Sequence, residues 1–156
     1  MVASGMDKKC CHTLLSEVEA KEILSENGLN RTKGKIRILQ EISKSHKPLS
    51  VYEIHARMKE SCDVSTIFRT LTQFKDKDLV HEVNLNEGFI RYELNHSQES
   101  HPSPHHHHHV RCRICGDIKN IDYCDLGPFE KAIAKLGFKE MEHRLEFSGI
   151  CSKCSK

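Results

Sequence analysis

A chain of 156 residues, 37% apolar and 29% charged, has room for one medium domain or two small ones and the composition of a soluble protein. No apolar stretch approaches the ~20 residues a membrane-spanning helix needs. The opening MVASGMDKKCCHTLL lacks the continuous apolar core of a secretory signal, so a cytoplasmic location is expected. A net charge of +2 does not announce nucleic acid, but between Arg31 and Lys47 six basic residues (Arg31, Lys33, Lys35, Arg37, Lys44, Lys47) stand against one acid, Glu41. A local excess of this kind is either a solvated helix face or a phosphate-contacting one.

In chain order, Ser16 to Asn27 reads as a helix with Leu15, Val18 and Ile23 or Leu24 on its apolar side and Asn27-Gly28 as the stop. Thr32 caps a second helix carrying Ile36, Leu39 and Ile42. Pro48 closes the connection, and Ser50 with Glu53 three residues on forms a capping box for a third helix bearing Val51, Ile54 and Met58. A fourth helix starts at Asp63 or Ser65 and runs to about Asp78, with Ile67, Leu71 and Phe74 as the buried stripe. That period leaves Ser65, Phe68, Arg69, Thr72 and Lys75 on or beside the exposed face, a composition suited to reading base edges. Two strands, Leu79 to Leu85 and Phe89 to Leu94, follow around the turn Asn86-Glu87-Gly88. Helices followed by a hairpin predict a winged helix-turn-helix.

NHSQESHPSP, residues 95 to 104, has no periodicity and two prolines, and reads as a linker between residues 1–94, of which about the first twelve are expected to be flexible, and residues 105–156. The second part opens on five consecutive histidines, His105 to His109. It continues with strands through Val110 to Cys112 and Ile118 to Ile121, and a helix from Pro128 to Leu136 with Phe129, Ile133 and Leu136 as its apolar edge. A strand from Phe138 to Phe147 places Met141, His143, Leu145 and Phe147 on one face. His143 is thereby either a packed core histidine or a metal ligand.

Cys112-x2-Cys115 and Cys151-x2-Cys154 are separated by 35 residues. Two such knuckles present four thiolates to one ion, the donor set of a closed, structural zinc site, and a reducing compartment favours metal over disulfides. Cys10, Cys11 and Cys62 read as ordinary small side chains. The histidine run alternates in an extended segment, with His107 and His109 on one side and His106 and His108 on the other, so one sequence can serve two metal sites.

The order winged helix, His-rich hinge, Cys-x2-Cys-Gly, helix, strand with inward His, Cys-x2-Cys resembles the ferric uptake regulator (Fur) family of metal-dependent repressors, from about Gly28 to Cys154. The most specific pieces are Ser65-Thr66-Ile67-Phe68-Arg69, similar to the family's A/S-T-V-Y-R helix, and HHHHHVRCRICG at 105 to 116. The resemblance implies an α+β fold: an N-terminal winged helix-turn-helix domain, then a small α/β dimerisation domain with the four-cysteine zinc site. It implies a homodimer on palindromic double-stranded operator DNA, with no membrane, no small organic substrate and no enzymatic activity.

By position, Ser65, Thr66, Phe68 and Arg69 fall on the DNA-reading helix, and Lys35 stands where many members carry Arg after a Gly-Leu-x-x-Thr motif, here Gly28, Leu29 and Thr32. A regulatory site of His81, Glu93, His107 and His109 is implied, with Zn2+ or Fe2+ as its ion. An accessory site would join His106, His108 and His143 to Asp125, with Cys124 as a competing ligand. Pro48 and Asn120 occupy positions where iron and peroxide sensors of the family usually place a histidine and an acid. The remaining N3O set is one zinc accepts. Leu49-Ser50-Val51-Tyr52-Glu53 and His81 resemble the zinc-uptake regulator (Zur) branch. The expectation is a zinc-sensing repressor, with an iron or peroxide sensor as the alternative and a zinc metalloenzyme as a remote one, since no H-E-x-x-H motif is present.

Overall fold

The computed structural model describes residues 14–59, 61–95, 108–121, 125–139, 143 and 145–155. Its first unit is helical. Helix α1 (Glu17–Glu26) begins at a reciprocal capping box between Ser16 and Glu19, and α2 (Lys33–Ser43) begins where Thr32 Oγ1 accepts the Lys35 backbone N–H. Strand β1 (Leu49–Ser50) leads into α3 (Val51–Arg57), whose N-cap is the expected Ser50–Glu53 box. Helix α4 (Val64–Asp76) is capped by Asp63. Ile67, Leu71 and Phe74 are wholly buried, and with Leu24, Ile38, Leu39, Ile54 and Met58 they form one core between the four helices and the sheet. Val18 departs from expectation: it is 63% exposed, and Ala20 takes the buried place on α1.

Strands β2 (Val80–Val83) and β3 (Arg91–Leu94) make the wing, and β3 lies between β2 and β1. The two-residue β1 has no periodic signal in the sequence; it exists because Leu49 and Ser50 pair with Tyr92 and Arg91 across the sheet. The turn joining β2 to β3 uses left-handed backbone at Asn86 and Gly88, the residue types that enter that region most readily.

The second unit is a three-stranded sheet with β4 (His108–Cys112) at its centre, antiparallel to β5 (Ile118–Ile121) and parallel to β6 (Glu146–Gly149). Helix α5 (Gly127–Lys135) has Pro near its first position and buries none of its residues within the chain. Its predicted apolar edge is therefore open: Phe129 is 66% and Leu136 74% exposed, as is much of Phe147 on β6. Among the described residues of the strand expected from Phe138 to Phe147, Glu146 and Phe147 are strand, within β6; Met141 lies outside the described residues. Among the described residues no helix is long and apolar enough to cross a membrane.

Candidate metal centres and the DNA-facing helix

Cys112 ends β4, and Gly116, at positive φ, lets the chain turn back so that its N–H reaches the Cys112 carbonyl. Parallel pairing of β6 with β4 sets Gly149 beside Cys112 and carries the second knuckle in, where the Cys151 N–H donates to Cys112 Sγ at 3.3 Å. All four sulfurs lie within 4.8 Å of one another, and Cys115 Sγ and Cys151 Sγ are 3.7 Å apart. That is too long for a disulfide. It matches the roughly 3.8 Å edge of a tetrahedron with Zn–S bonds of about 2.3 Å, so the cysteines fit a structural zinc.

Hydrogen bonds from the backbone of Cys115, then Cys151 and Ile114, pull the Cys112 thiol down to about 6. Hydrogen bonding to the Cys151 and then the Cys115 sulfur pushes the Cys154 thiol up to about 12. Four sulfurs this close cannot all be thiolates without a cation among them.

The wing and the β4–β5 sheet meet face to face through residues alternating at period two. His81 pairs with Glu93 across the wing, and His109 pairs with Asn120 across the second sheet. Glu93 and His109 are buried. Glu93 Oε2 lies 3.6 Å from His81 Nε2 and 3.2 Å from His109 Nε2, while His81 Nδ1 is 2.7 Å from Asn95 Oδ1. Asn120 Oδ1 is buried without a hydrogen bond among the described residues. Two residues along each strand come Val83, Arg91, Arg111 and Ile118, again in facing pairs, with Val83, Leu85 and Ile118 forming a small apolar cluster.

Thus three of the four expected hinge residues, His81, Glu93 and His109, are brought together around one carboxylate. His107 lies outside the described residues. Among the described residues only the cysteines form a group of three or more metal-ligating side chains that all lie within 4.8 Å of one another. Glu93 is accordingly a hub, and its two histidines stand farther from each other than ligands of one ion would.

His108 points away from that hub, and its ring centroid is 5.3 Å from that of His143, which is half-buried. Asp125 is exposed and accepts the Gly127 N–H. His106 and Cys124 lie outside the described residues. The structure therefore joins two members of the accessory set and does not bring Asp125 to the 4.8 Å spacing with them.

On α4, Phe68 (55% exposed), Arg69 and Thr72 lie on the solvent face opposite the buried stripe. Arg69 Nη2 donates to Thr66 Oγ1 at 3.4 Å. Ser65 and Thr66 donate their hydroxyls to Asp63, at 2.5 and 2.7 Å, and these bonds hold the Asp63 carboxyl far below the carboxylate range. Both side chains thus build the helix N-terminus. Lys35 is half-buried in the first turn of α2, and Lys75 pairs with Glu82.

Sequence reasoning missed Glu87, Arg91 and Arg111 as parts of this face, and noted Asn120 as standing where related iron and peroxide sensors carry an acid. Period two along each strand could have grouped them; which strand faces which is a tertiary fact.

A winged-helix unit with an exposed basic-aromatic helix, docked through histidines and a carboxylate onto a small sheet holding four clustered thiols, defines a DNA-binding metalloregulator. The chain belongs to the Ferric uptake regulator family, whose sequence profile matches residues 26–148. It is 32% identical over 124 residues to the "Ferric uptake regulation protein" of Bacillus subtilis, covering 77% of this chain and 79% of that one. It is 30% identical over 142 residues to the "Peroxide operon regulator" of the same organism, covering 88% and 92%. The crystal structure of the Vibrio cholerae ferric uptake regulator superposes with a TM-score of 0.69 at 25% identity, covering 84% of this chain and 98% of that one. The protein is thus a metal-responsive transcription regulator of the Fur family and not an enzyme.

Proposed function

We propose that this chain is a zinc-responsive repressor that grips palindromic operator DNA as a homodimer when the hinge site is loaded. The observation that carries this is the Glu93 hub, one buried carboxylate contacted by His81 of its own sheet and His109 of the other. Residues split between two units favour the arrangement in which all of them can bind one ion, by the difference in affinity between closed and open states. With His107 they make a three-nitrogen, one-oxygen set. Asn120 can add only a neutral amide oxygen, which suits zinc better than ferrous iron, whose usual sites use five or six N/O donors. A bound cation would supply charge neutralisation among these groups and fix the wing on the second sheet.

In this reading residues 1–94 bind DNA, residues 95–104 link, and residues 105–156 hold the cysteine-bound zinc in the cytoplasm. The open apolar surface of Phe129, Leu136, Phe138 and Phe147 then pairs with a second copy. Phe68 and Arg69 reach base edges, Lys35 reaches phosphate, and Ser65 and Thr66 order the helix start beside the backbone. His106, His108 and His143 supply the nitrogens of an accessory site completed by Asp125 or Cys124.

A second reading, an iron or peroxide sensor, draws on the B. subtilis relatives named for those roles. Anaerobic titration of operator binding against buffered zinc and ferrous iron separates them. Activation by iron at the lower cell-relevant concentration, or rapid peroxide inactivation of the iron form, favours the second. Binding indifferent to every metal refutes both.

A further inference from the structure

One strand repeat beyond the Glu93 hub, about 7 Å along β3 and β4, the two sheets meet a second time, through charge. Glu87, at the tip of the wing, accepts from Arg91 Nε at 2.5 Å and lies 2.8 Å from Arg111 Nε of β4. Its side chain is only 7% exposed, as is that of Arg91, and Arg111 is 23% exposed. Arg91 also donates to Glu53 and to the Pro48 carbonyl, which ties it to the capped start of α3. Two acids and two arginines therefore balance in a chain running from α3 through the wing to the second sheet.

Arg91 has carboxylates on two sides, whereas Arg111 pairs with Glu87. If the wing swung away, Arg91 would keep Glu53 and Glu87, and Arg111 would pass into water. Neither charge would be stranded in an apolar interior, so the contact can break and reform, unlike a fully enclosed pair. Burial alone would raise the Glu87 carboxyl, yet the hydrogen bond and charge of Arg91 and the charge of Arg111 hold it below its ordinary value. The left-handed turn at Asn86 and Gly88 folds Glu87 inward to reach β4, and the Phe89 ring lies 5.2 Å from the Arg91 guanidinium.

We propose that Glu87 and Arg111 form an interdomain latch that holds the wing against the second sheet without metal and thereby sets how much metal the hinge requires. Its regulatory consequence rests on the hinge reading above; the latch itself does not. Arg111 lies two residues from His109 on the same strand face, so closing either contact brings the other within reach, and the two contacts share one coupling free energy.

The test uses full-length dimer after mild chelation that leaves the cysteine-bound zinc, comparing wild type with Arg111→Gln, Glu87→Gln and the double variant. Hydrogen exchange of wing amides from Val83 to Ile90 is expected to be about fivefold or more faster in each single variant, and no faster again in the double. Buffered zinc should then fill the hinge about tenfold more weakly in the variants, within the usual span of coupling between sites. Wing exchange unchanged in both single variants, or additive in the double, overturns the latch. Faster exchange with unchanged zinc affinity overturns its regulatory role. Arg111 adjoins Cys112, so if Arg111→Gln loses the cysteine-bound zinc, Glu87→Gln alone decides. Wild type that binds no hinge zinc defeats the hinge reading, while the exchange comparison still judges the latch.

Discussion

Glu93 of the wing and His109 of the second sheet are both buried and stand 3.2 Å apart, carboxylate oxygen to imidazole nitrogen. Neither has that environment without the other sheet; on the proposed hinge reading, this pair is where metal occupancy and placement of the winged-helix unit are coupled.

His109→Ala should accordingly abolish metal-dependent operator binding while the chain stays folded and keeps its cysteine-bound zinc. His107→Ala should do the same if that residue completes the set. Metal analysis alongside binding to a duplex selected by the zinc-loaded wild type provides the check. A His109→Ala protein that still responds to zinc at wild-type concentrations would sink the hinge assignment.

Cys112→Ala should lose the tightly held zinc and the dimer together. Zinc held by thiolates contributes on the order of 10 kcal/mol to the folding of a small unit, far more than one lost side-chain contact, and the sheet here is short. Metal content and sedimentation measure it; a zinc-free variant that remains a folded dimer contradicts the assignment.

Arg69→Ala should weaken binding and relax discrimination at one base pair by about 1–3 kcal/mol, since a guanidinium can bond a guanine edge with two hydrogen bonds. Lys35→Ala should weaken all sequences alike and lower the salt slope by about one unit. Equal loss across sequences for Arg69→Ala would mean that this helix is docked otherwise than proposed.

The Glu53 carboxyl is buried enough to be raised, yet the Ser50 N–H and the Arg91 charge hold it below its ordinary 4.5. A depressed folded-state value means that its stabilisation is present above about pH 4.5 and is lost as pH falls through the lowered value. Glu53→Gln should therefore be less stable than wild type at neutral pH, and the difference should shrink on acidification. Chemical unfolding at pH 7 and pH 3.5 compares the two; a constant difference would mean that the charge is not what stabilises.

Leu71→Ala removes a wholly buried side chain between α4 and the other helices and should cost about 2–5 kcal/mol. The midpoint of thermal unfolding reports it. A cost well below 1 kcal/mol would show that this core collapses around the gap.

Much is legible from the chain alone because it is local chemistry. Ser50 with Glu53, Thr32 and Asp63 mark helix starts through bonds only three residues long, and they cap α3, α2 and α4 as that spacing predicts. Ile67, Leu71 and Phe74 declare their buried face by helical spacing, and the two Cys-x2-Cys knuckles declare a four-thiol site because each knuckle is itself a short-range turn. Phe129 and Leu136 share an apolar edge by the same spacing, yet periodicity says only that such a face seeks cover, not that the cover lies outside the chain. Tertiary structure alone decided that β1 exists, that β6 lies parallel beside β4, and that Arg111 faces Glu87; the meeting of His109 with His81 and Glu93 is implied by family resemblance and not by the alternation of the strands. The physical reason is that a strand's alternation assigns each side chain to one of two faces with no preference for what that face will meet; the partner is chosen by the packing of whole sheets, where burial of Val83, Leu85 and Ile118 and pairing of opposite charges are satisfied together.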